Sequence, residues 1–262
     1  MNRSFAGFDS RTGWLAAAAV LGSILFLSGP SFARAAKPET PGRSAIGTSI
    51  SAEKLSDEAT VTRYAFARRA APIRRRPHAG GRTNGRLRFT TTEGQALPYI
   101  TLSRQTRSPG PSWLRIRVPG RPNGQTGWVR ASALGSLRTA YGSLEVDRRK
   151  LRATLYGRHG EVLWRAPVGI GRPGLTTPKG RFWITERLRS IGGPSYGPFA
   201  FGTSAYAPHL TDWPGGGVIG IHGTDEPGLI PGRPSHGCIR LRNSDIRVLR
   251  RKLEIGTPLN IS

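Results

Sequence analysis

The only cysteine of this sequence lies close to two of its five histidines. Cys238 directly follows Ser235-His236-Gly237, and His222 precedes it by sixteen residues. A thiol is a weak nucleophile until it loses its proton, and a nearby imidazole can accept that proton. The glycine before the cysteine permits a tight turn whose N–H groups can face a developing oxyanion. The spacing therefore predicts a cysteine acyl transferase or hydrolase with Cys238 as the nucleophile.

Two simpler roles for Cys238 stay open at this point. The residue can be a small buried hydrophobic side chain, or it can ligate Zn²⁺ together with the two histidines. Polar His, Ser and Arg residues surround it in the sequence, which is unusual for an inert core position. No fourth zinc ligand lies at a recognisable spacing, so we predict neither a metal nor a cofactor.

The segments that must position these residues predict a β-rich unit over residues 141–262. The candidate strands lie at 143–147, 151–156, 161–168, 180–185 and 217–222. A single convincing helix is predicted from Ser244 to Leu253, with Ser244 as its N-cap. Residues 225–234 form a loop rich in Gly and Pro, which can fold the His222 and Cys238 segments together.

The sequence before this unit divides into three parts. Residues 1–36 have a basic start, an apolar run at 14–27 and a small-residue cleavage site, which is typical of an export signal. The fourteen-residue run is short for a membrane span, so the segment is a cleaved signal peptide or an uncleaved anchor. Residues 37–80 are predicted to form a basic linker. Residues 81–136 alternate β-prone runs with Gly and Pro turns, which favours a small β-barrel.

The charge of the chain is strongly one-sided. Its 262 residues include 40 Lys and Arg against 15 Asp and Glu, a net charge of +25. Residues 63–138 contribute +15 of this, because their sixteen basic residues are opposed by Glu93 alone. A nucleic acid would satisfy this charge but conflicts with the export signal, so we predict no nucleic-acid partner. Anionic polymers of a cell surface agree with both observations. The single cysteine excludes a disulfide scaffold.

The motifs of residues 142–262 resemble those of the L,D-transpeptidase catalytic domain, found in the peptidoglycan cross-linking enzymes of bacteria. The resemblance rests on His222 followed fourteen residues later by His-Gly-Cys, on Thr177-Pro178-Lys179-Gly180, and on Ile239-Arg240-Leu241 before Asn243. Residues 81–136 are similar to a bacterial SH3-like domain, most clearly in 113–118 and Gly127-Trp128-Val129. The implied fold is mainly β, a small SH3-like barrel followed by the β-rich catalytic domain with one or two short helices.

The resemblance implies a two-step acyl transfer. Cys238 attacks a carbonyl of the diamino acid in a stem tetrapeptide, D-alanine leaves, and an amine of a neighbouring stem resolves the thioester into a 3→3 cross-link. His222 acts as general base and acid, and the Gly223 carbonyl orients it. The amides of Gly237 and Cys238 form the oxyanion hole.

Three further site residues are implied with lesser roles. His236 supports the site, and Arg240 and Ser235 contact the substrate. The aromatic residues of 187–216 either close over the substrate as a lid or pack the loop onto the core.

Two alternative functions stay open. Water can resolve the thioester, which gives an L,D-carboxypeptidase, or the chain is a non-catalytic protein that binds the wall. The expected partners are peptidoglycan stem peptides and, through the basic region, anionic wall polymers. The expected location is the cell wall or periplasm, with membrane attachment only if the signal stays uncleaved.

Overall fold

The computed structural model describes residues 49–189, 193–211 and 214–262. The predicted export signal at 1–36 and the first part of the predicted linker lie outside these residues. Within the described ranges, no helix is both long and apolar enough to cross a membrane.

Residues 49–141 form an eight-stranded sheet in which every pairing is antiparallel. Its strands are β1 Ser49–Lys54, β2 Val61–Phe66, β3 Pro72–Arg74, β4 Thr83–Arg86, β5 Pro98–Ser108, β6 Ser112–Arg117, β7 Thr126–Arg130 and β8 Arg138–Tyr141. They lie in the order β4-β3-β7-β6-β5-β2-β8, and β1 pairs with β5 outside this path. The buried core includes Ile73, Tyr99, Leu114, Ile116 and Val129. One 3₁₀ turn, Ala131–Ala133, follows β7.

This sheet begins earlier in the chain than the sequence predicts. Three strands, β1 to β3, lie within the segment 37–80 that predicts a linker. β2 and β3 contribute the buried Thr62, Ala65 and Ile73, whereas β1 is exposed throughout and joins the sheet by pairing with β5. These buried residues are few and two are small, so the dense arginines between them hide the alternating pattern. Residues 87–92 are one of the β-prone runs of the sequence, but they form only the isolated bridge of Thr90 with Ala96 and no strand. The SH3-like character of the sheet stays a prediction.

Residues 142–262 contain the second sheet, which has ten strands. These are β9 Ser143–Asp147, β10 Arg152–Tyr156, β11 Val162–Pro167, β12 Gly169–Gly171, β13 Gly180–Arg189, β14 Phe199–Tyr206, β15 Val218–His222, β16 Gly232–Ser235, β17 Ile239–Arg240 and β18 Pro258–Ile261. Their order is β11-β10-β9-β18-β13-β14-β15-β17-β12-β16. Short 3₁₀ turns lie at Pro194–Tyr196, Pro214–Gly217 and Pro227–Leu229. The prediction of a mainly β fold is confirmed.

The α-helix of the described residues, α1, spans Asn243–Lys252 and packs on the second sheet through the buried Ile246 and Leu249. It begins one residue before the predicted start, so Ser244 lies in the first turn and Arg242 is the N-cap. The side chain of Asn243 accepts a hydrogen bond from the Thr224 N–H at 3.0 Å. The start of α1 is therefore fixed by a contact with the loop after β15, which a local capping pattern does not reveal.

The two sheets pack against each other within one compact unit. The indole Nε1 of Trp183 donates to the Pro98 carbonyl at 2.9 Å in a buried position. Asn123 pairs with the backbone of Tyr206 in both directions, at 2.8 and 3.0 Å. Arg121 donates to the carbonyls of residues 207, 210 and 216 at 2.9, 2.9 and 3.0 Å. The turn between β6 and β7 thus holds the chain that leads into β15.

Candidate active site

Cys238 and His222 come together because β15 and β17 are neighbouring parallel strands. His222 ends β15 and pairs with Arg240, while Cys238 lies directly before β17. The Gly220 N–H donates to the Cys238 Sγ at 3.4 Å. A β-carbon at Gly220 would lie 3.9 Å from that sulfur and 3.9 Å from Cδ2 of His222. The side chains of Cys238 and His222 therefore both lie next to the position that a side chain of residue 220 would occupy.

The orientation of His222 is set by the residue that follows it. Its Nδ1 lies 2.6 Å from the Gly223 carbonyl oxygen. A carbonyl oxygen only accepts hydrogen bonds, so Nδ1 carries the hydrogen and Nε2 of the neutral ring keeps its lone pair. The ring is 4% exposed and stacks at a tilt on Tyr196, with 4.6 Å between centroids. This geometry leaves Nε2 as the proton acceptor.

The charges of the pair follow from its burial. Burial lowers the pKa of His222 to about 4, against the opposing effect of the Gly223 carbonyl, and the positive charge of Arg240 lowers it further. Burial raises the pKa of the Cys238 thiol, although the Gly220 N–H and Arg240 act in the opposite direction. At neutral pH the resting site therefore holds a neutral thiol and a neutral imidazole. Proton transfer belongs to the reaction and not to the resting state.

The low pKa of His222 predicts a specific loss of stability in acid. Unfolded His222 takes up a proton below about pH 6.5, whereas the folded ring stays neutral down to about pH 4. Its contribution to stability is therefore complete above the first value and is lost as the pH falls to the second. At about 1.4 kcal/mol per pH unit, the loss is roughly 3 kcal/mol.

Urea denaturation across this range checks the prediction. The difference in unfolding free energy between the wild type and His222→Gln should shift against the wild type as the pH falls. Parallel curves for the two proteins would contradict the burial of a neutral ring.

The turn before Cys238 is held by two hydroxyl groups. Ser235 is buried, donates from Oγ to the Cys238 carbonyl at 2.6 Å and accepts from the Gly237 N–H at 3.1 Å. Thr177 donates to the Gly237 carbonyl at 2.7 Å and accepts from the Gly171 N–H at 2.9 Å. The structure thus places Ser235 inside the turn, in contrast to the predicted substrate contact. A serine hydroxyl readily reaches backbone groups two or three residues away.

This arrangement also changes the predicted oxyanion hole. The Gly237 N–H donates to the Ser235 Oγ, so of the two amides predicted for this role it is the one already used inside the turn. Gly237 has a φ of 129°, a conformation that favours glycine, and a β-carbon there would lie 2.9 Å from Cδ1 of Ile219. Gly237 therefore shapes the turn that presents Cys238.

Arg240 brings a positive charge to the site and already has an anionic partner. Its Nη1 donates to Oε2 of Glu226 at 2.8 Å, and its side chain is 16% exposed. Its Nε is buried without a hydrogen-bond partner. His236 is half-buried, and burial together with the charges of Arg172 and Arg240 lowers its pKa. Glu226, which lies in the loop between the two motif histidines, is a site residue that the sequence did not single out.

The aromatic residues of 187–216 occupy different positions. Phe199 and Phe201 are buried in β14, and Tyr206 stacks under the guanidinium of Arg121 at 5.0 Å. Trp213 lies outside the described residues. Of the aromatics described in this segment, Tyr196 is the one that contacts His222. The packing interpretation therefore holds for most of them, and Tyr196 alone borders the reactive pair.

The loop after His222 is closely packed, which explains the need for Gly223. A β-carbon at Gly223 would lie 2.3 Å from Oδ1 of Asn243 and 3.1 Å from Cα of Gly197. A side chain there would displace the carbonyl that orients His222. Within the described residues, no group of three or more His, Cys, Asp or Glu residues could hold a metal ion.

Comparison with known proteins gives a family match over this region. Residues 142–261 match the family model described as YkuD, the L,D-transpeptidase catalytic domain. The chain is 31% identical over 136 residues to the probable L,D-transpeptidase YbiS of Escherichia coli, covering 45% of this chain and 44% of that protein. It is 34% identical over 120 residues to the putative L,D-transpeptidase YkuD of Bacillus subtilis, covering 46% of this chain and 64% of that protein.

Solved structures are similar over comparable stretches. A mutant L,D-transpeptidase of Enterococcus faecium has 25% identity and a TM-score of 0.36, with 46% of this chain and 49% of that chain covered. An L,D-transpeptidase from Mycobacterium smegmatis has 15% identity and a TM-score of 0.36, with 58% and 91% covered. The chain spans less than half the length of the first curated relative.

Proposed function

We propose that this chain cross-links peptidoglycan stem peptides through a thioester at Cys238, because residues 142–261 match the family model of the L,D-transpeptidase catalytic domain. The observation that carries this proposal is the pairing of Cys238 with an oriented, neutral His222 above Gly220. The chemistry proposed for these residues is acyl transfer from one peptide to the amine of another.

The first half-reaction transfers the acyl group to the enzyme. Nε2 of His222 takes the thiol proton as Sγ of Cys238 bonds to the carbonyl carbon of the diamino-acid residue. The oxyanion accepts a hydrogen bond from the Cys238 N–H. As the tetrahedral intermediate collapses, the amide bond to the terminal D-alanine breaks, and the leaving amine takes the proton from His222.

The second half-reaction restores the thiol. An amine of a neighbouring stem attacks the thioester carbonyl and gives a proton to His222. The carbon–sulfur bond then breaks, and the thiolate recovers that proton. When water takes the place of the amine, the product is a tripeptide, which is the L,D-carboxypeptidase reaction.

Product analysis tests the proposal and separates these alternatives. Incubation of the chain with a disaccharide tetrapeptide, followed by mass spectrometry, should show free D-alanine and a cross-linked dimer. Tripeptide without dimer would assign the carboxypeptidase reaction. Unchanged substrate with no enzyme adduct would favour the non-catalytic wall-binding protein.

The location and the remaining partners are part of the same proposal. We propose that residues 1–36 direct export and that the chain acts in the wall or periplasm. The net charge of +15 on residues 63–138 supports association with anionic wall polymers. Exposed arginines attract polyanions over a distance that becomes shorter as the salt concentration rises.

Arg240 is proposed to receive a carboxylate of the stem peptide, and Glu226 occupies its guanidinium in the resting site. A substrate carboxylate must displace Glu226, whose side chain is 55% exposed. Glu226→Gln should therefore lower KM by up to about fivefold and leave kcat nearly unchanged, as expected for an exposed ion pair. Steady-state kinetics with the tetrapeptide measure the effect.

Asp225→Asn is the matched control for this prediction. Asp225 is the exposed neighbour of Glu226, and it makes no ion pair with the described residues. Its replacement removes the same charge from the same loop and should leave KM unchanged. Equal decreases of KM in both variants would show a general effect of loop charge and would contradict competition at Arg240.

A further inference from the structure

Four arginines surround one cavity on the catalytic domain, away from the Cys238–His222 pair. Three belong to α1 and the fourth to β13, and the cavity measures about 510 Å³. Pro198 and Phe199 complete its lining, and the arginines are Arg187, Arg247, Arg250 and Arg251. Arg247, Arg250 and Arg251 share one face of the helix because residues three and four apart are neighbours on a helix surface.

Two of these guanidinium groups are held in place by the protein. Arg250 lies 4.9 Å and Arg187 lies 5.9 Å from the centroid of the Phe199 ring. Arg187 also donates from Nη2 to the backbone carbonyl of Arg250. The buried ring and the carbonyl thus fix both cations before any ligand arrives. Preorganised cations lose less conformational entropy on binding than freely rotating ones.

The cavity holds excess positive charge. The ion pairs of the described residues involve other arginines, and no carboxylate of those residues lies within 4.0 Å of the four guanidinium groups. The negative end of the α1 dipole stabilises basic residues in the last turn, but it amounts to about half a unit charge. The helix dipole therefore leaves most of the combined charge of the four arginines, near +4, uncompensated.

We propose that Arg187, Arg247, Arg250 and Arg251 form a binding site for a polyanion that carries phosphodiester groups, such as an anionic polymer of the wall. Guanidinium groups match phosphate oxygens in bidentate geometry. A single carboxylate would leave most of the charge unmatched, whereas a polymer with a phosphate in each short repeat can place several anions in the cavity. The site is separate from the basic region 63–138 and independent of the thiol chemistry.

The position of the cavity relates it to the reactive pair. Phe199 forms one wall, and its carbonyl accepts from the Gly223 N–H at 3.3 Å, next to His222. Along α1, Arg250 lies seven residues beyond Asn243, which is about 10 Å at the rise of a helix. A polymer bound here would therefore hold the wall close to Cys238 without entering the site.

A binding measurement on the full chain tests this site. The probe is a fluorescent oligomer of glycerol phosphate, and anisotropy gives its Kd for a Cys238→Ala chain, which cannot turn over substrate. Arg247→Gln combined with Arg251→Gln removes two exposed arginines and keeps Arg187 and Arg250, which contact Phe199. We expect this pair of changes to weaken binding by about tenfold or more, roughly one charge-assisted contact in free energy.

The matched control removes two exposed arginines that lie outside both the cavity and the basic region 63–138, Arg149→Gln with Arg165→Gln. Since the net charge falls equally, we expect less than about a twofold change. Equal weakening in both variants, or no binding by the parent chain, would overturn the site. Tighter binding of a single-stranded oligonucleotide or of phosphatidylglycerol vesicles through Arg247 and Arg251 would overturn the assignment to a wall polymer. The Arg247→Gln and Arg251→Gln changes can also be made together in the wild-type chain, which keeps Cys238 and His222. Tetrapeptide turnover by that variant then reports separately on the proposed function.

Discussion

Cys238→Ala is expected to abolish the release of D-alanine from a tetrapeptide, with a rate at least about 10³-fold below that of the wild type. The reason is that the chain has no second thiol, and in the proposed mechanism the bond to the acyl group forms on this sulfur. The measurement is single-turnover release of D-alanine, combined with intact-protein mass spectrometry of the acyl-enzyme. The adduct should be present in the wild type and absent in the variant.

The fold of this variant is expected to persist, which keeps the result interpretable. Cys238 is half-buried, and its sulfur accepts one backbone hydrogen bond from Gly220. Loss of that atom should cost no more than about 1–2 kcal/mol. A melting temperature near that of the wild type, together with lost activity, assigns the defect to chemistry. D-alanine release by the variant at a rate similar to that of the wild type would exclude a thioester at Cys238.

The reactive pair was predictable because its pattern is local. His222 and Cys238 flank one loop, and the strands on either side of it pair in parallel, so a sixteen-residue separation becomes a shared edge of the sheet. The bounds of β9 agree with the predicted 143–147, because its alternation of buried Leu144 and Val146 with polar residues is unambiguous.

Other features depend on tertiary contacts that a single sequence does not encode locally. The ion pair of Glu226 with Arg240 requires the loop after β15 to fold back over β17. The role of Ser235 depends on which way its hydroxyl points, and a polar residue beside a nucleophile suggests the substrate before it suggests the turn. The strands β1 to β3 are not apparent in the sequence because β1 is exposed throughout and β2 and β3 together contain only three buried residues.

The packing of the first sheet was also invisible in the sequence, and it changes how the charge of the chain is understood. Composition suggests a basic module on a linker, but Trp183, Arg121 and Asn123 bind the two sheets together. Arg121 is therefore a structural residue, although it belongs to the most basic segment. The basic residues behind the net charge of +25 serve different purposes. Some arginines hold the fold, and others, such as Arg247 and Arg251 of α1, are exposed and form no ion pair with the described residues.

The second large effect is expected at His222. His222→Gln should slow acylation by about 10²- to 10⁴-fold, because glutamine preserves a polar side chain but cannot accept the thiol proton. The pH dependence of the acylation rate should also differ between this variant and the wild type. In the wild type the acceptor is an imidazole with a pKa of about 4, so the acylation rate should stay level across neutral pH and fall only as the pH approaches that value.

In His222→Gln the remaining rate depends on thiolate that forms without a protein base. Burial raises the pKa of Cys238, so this rate should increase about tenfold per pH unit across the neutral range. Single-turnover D-alanine release from about pH 5 to about pH 8 distinguishes the two profiles. A wild-type step near the ordinary histidine value of 6.5 would contradict the lowered pKa of the buried His222. A level profile requires that the proton leave the sulfur only when the substrate carbonyl is in place, because neither group is charged before it arrives.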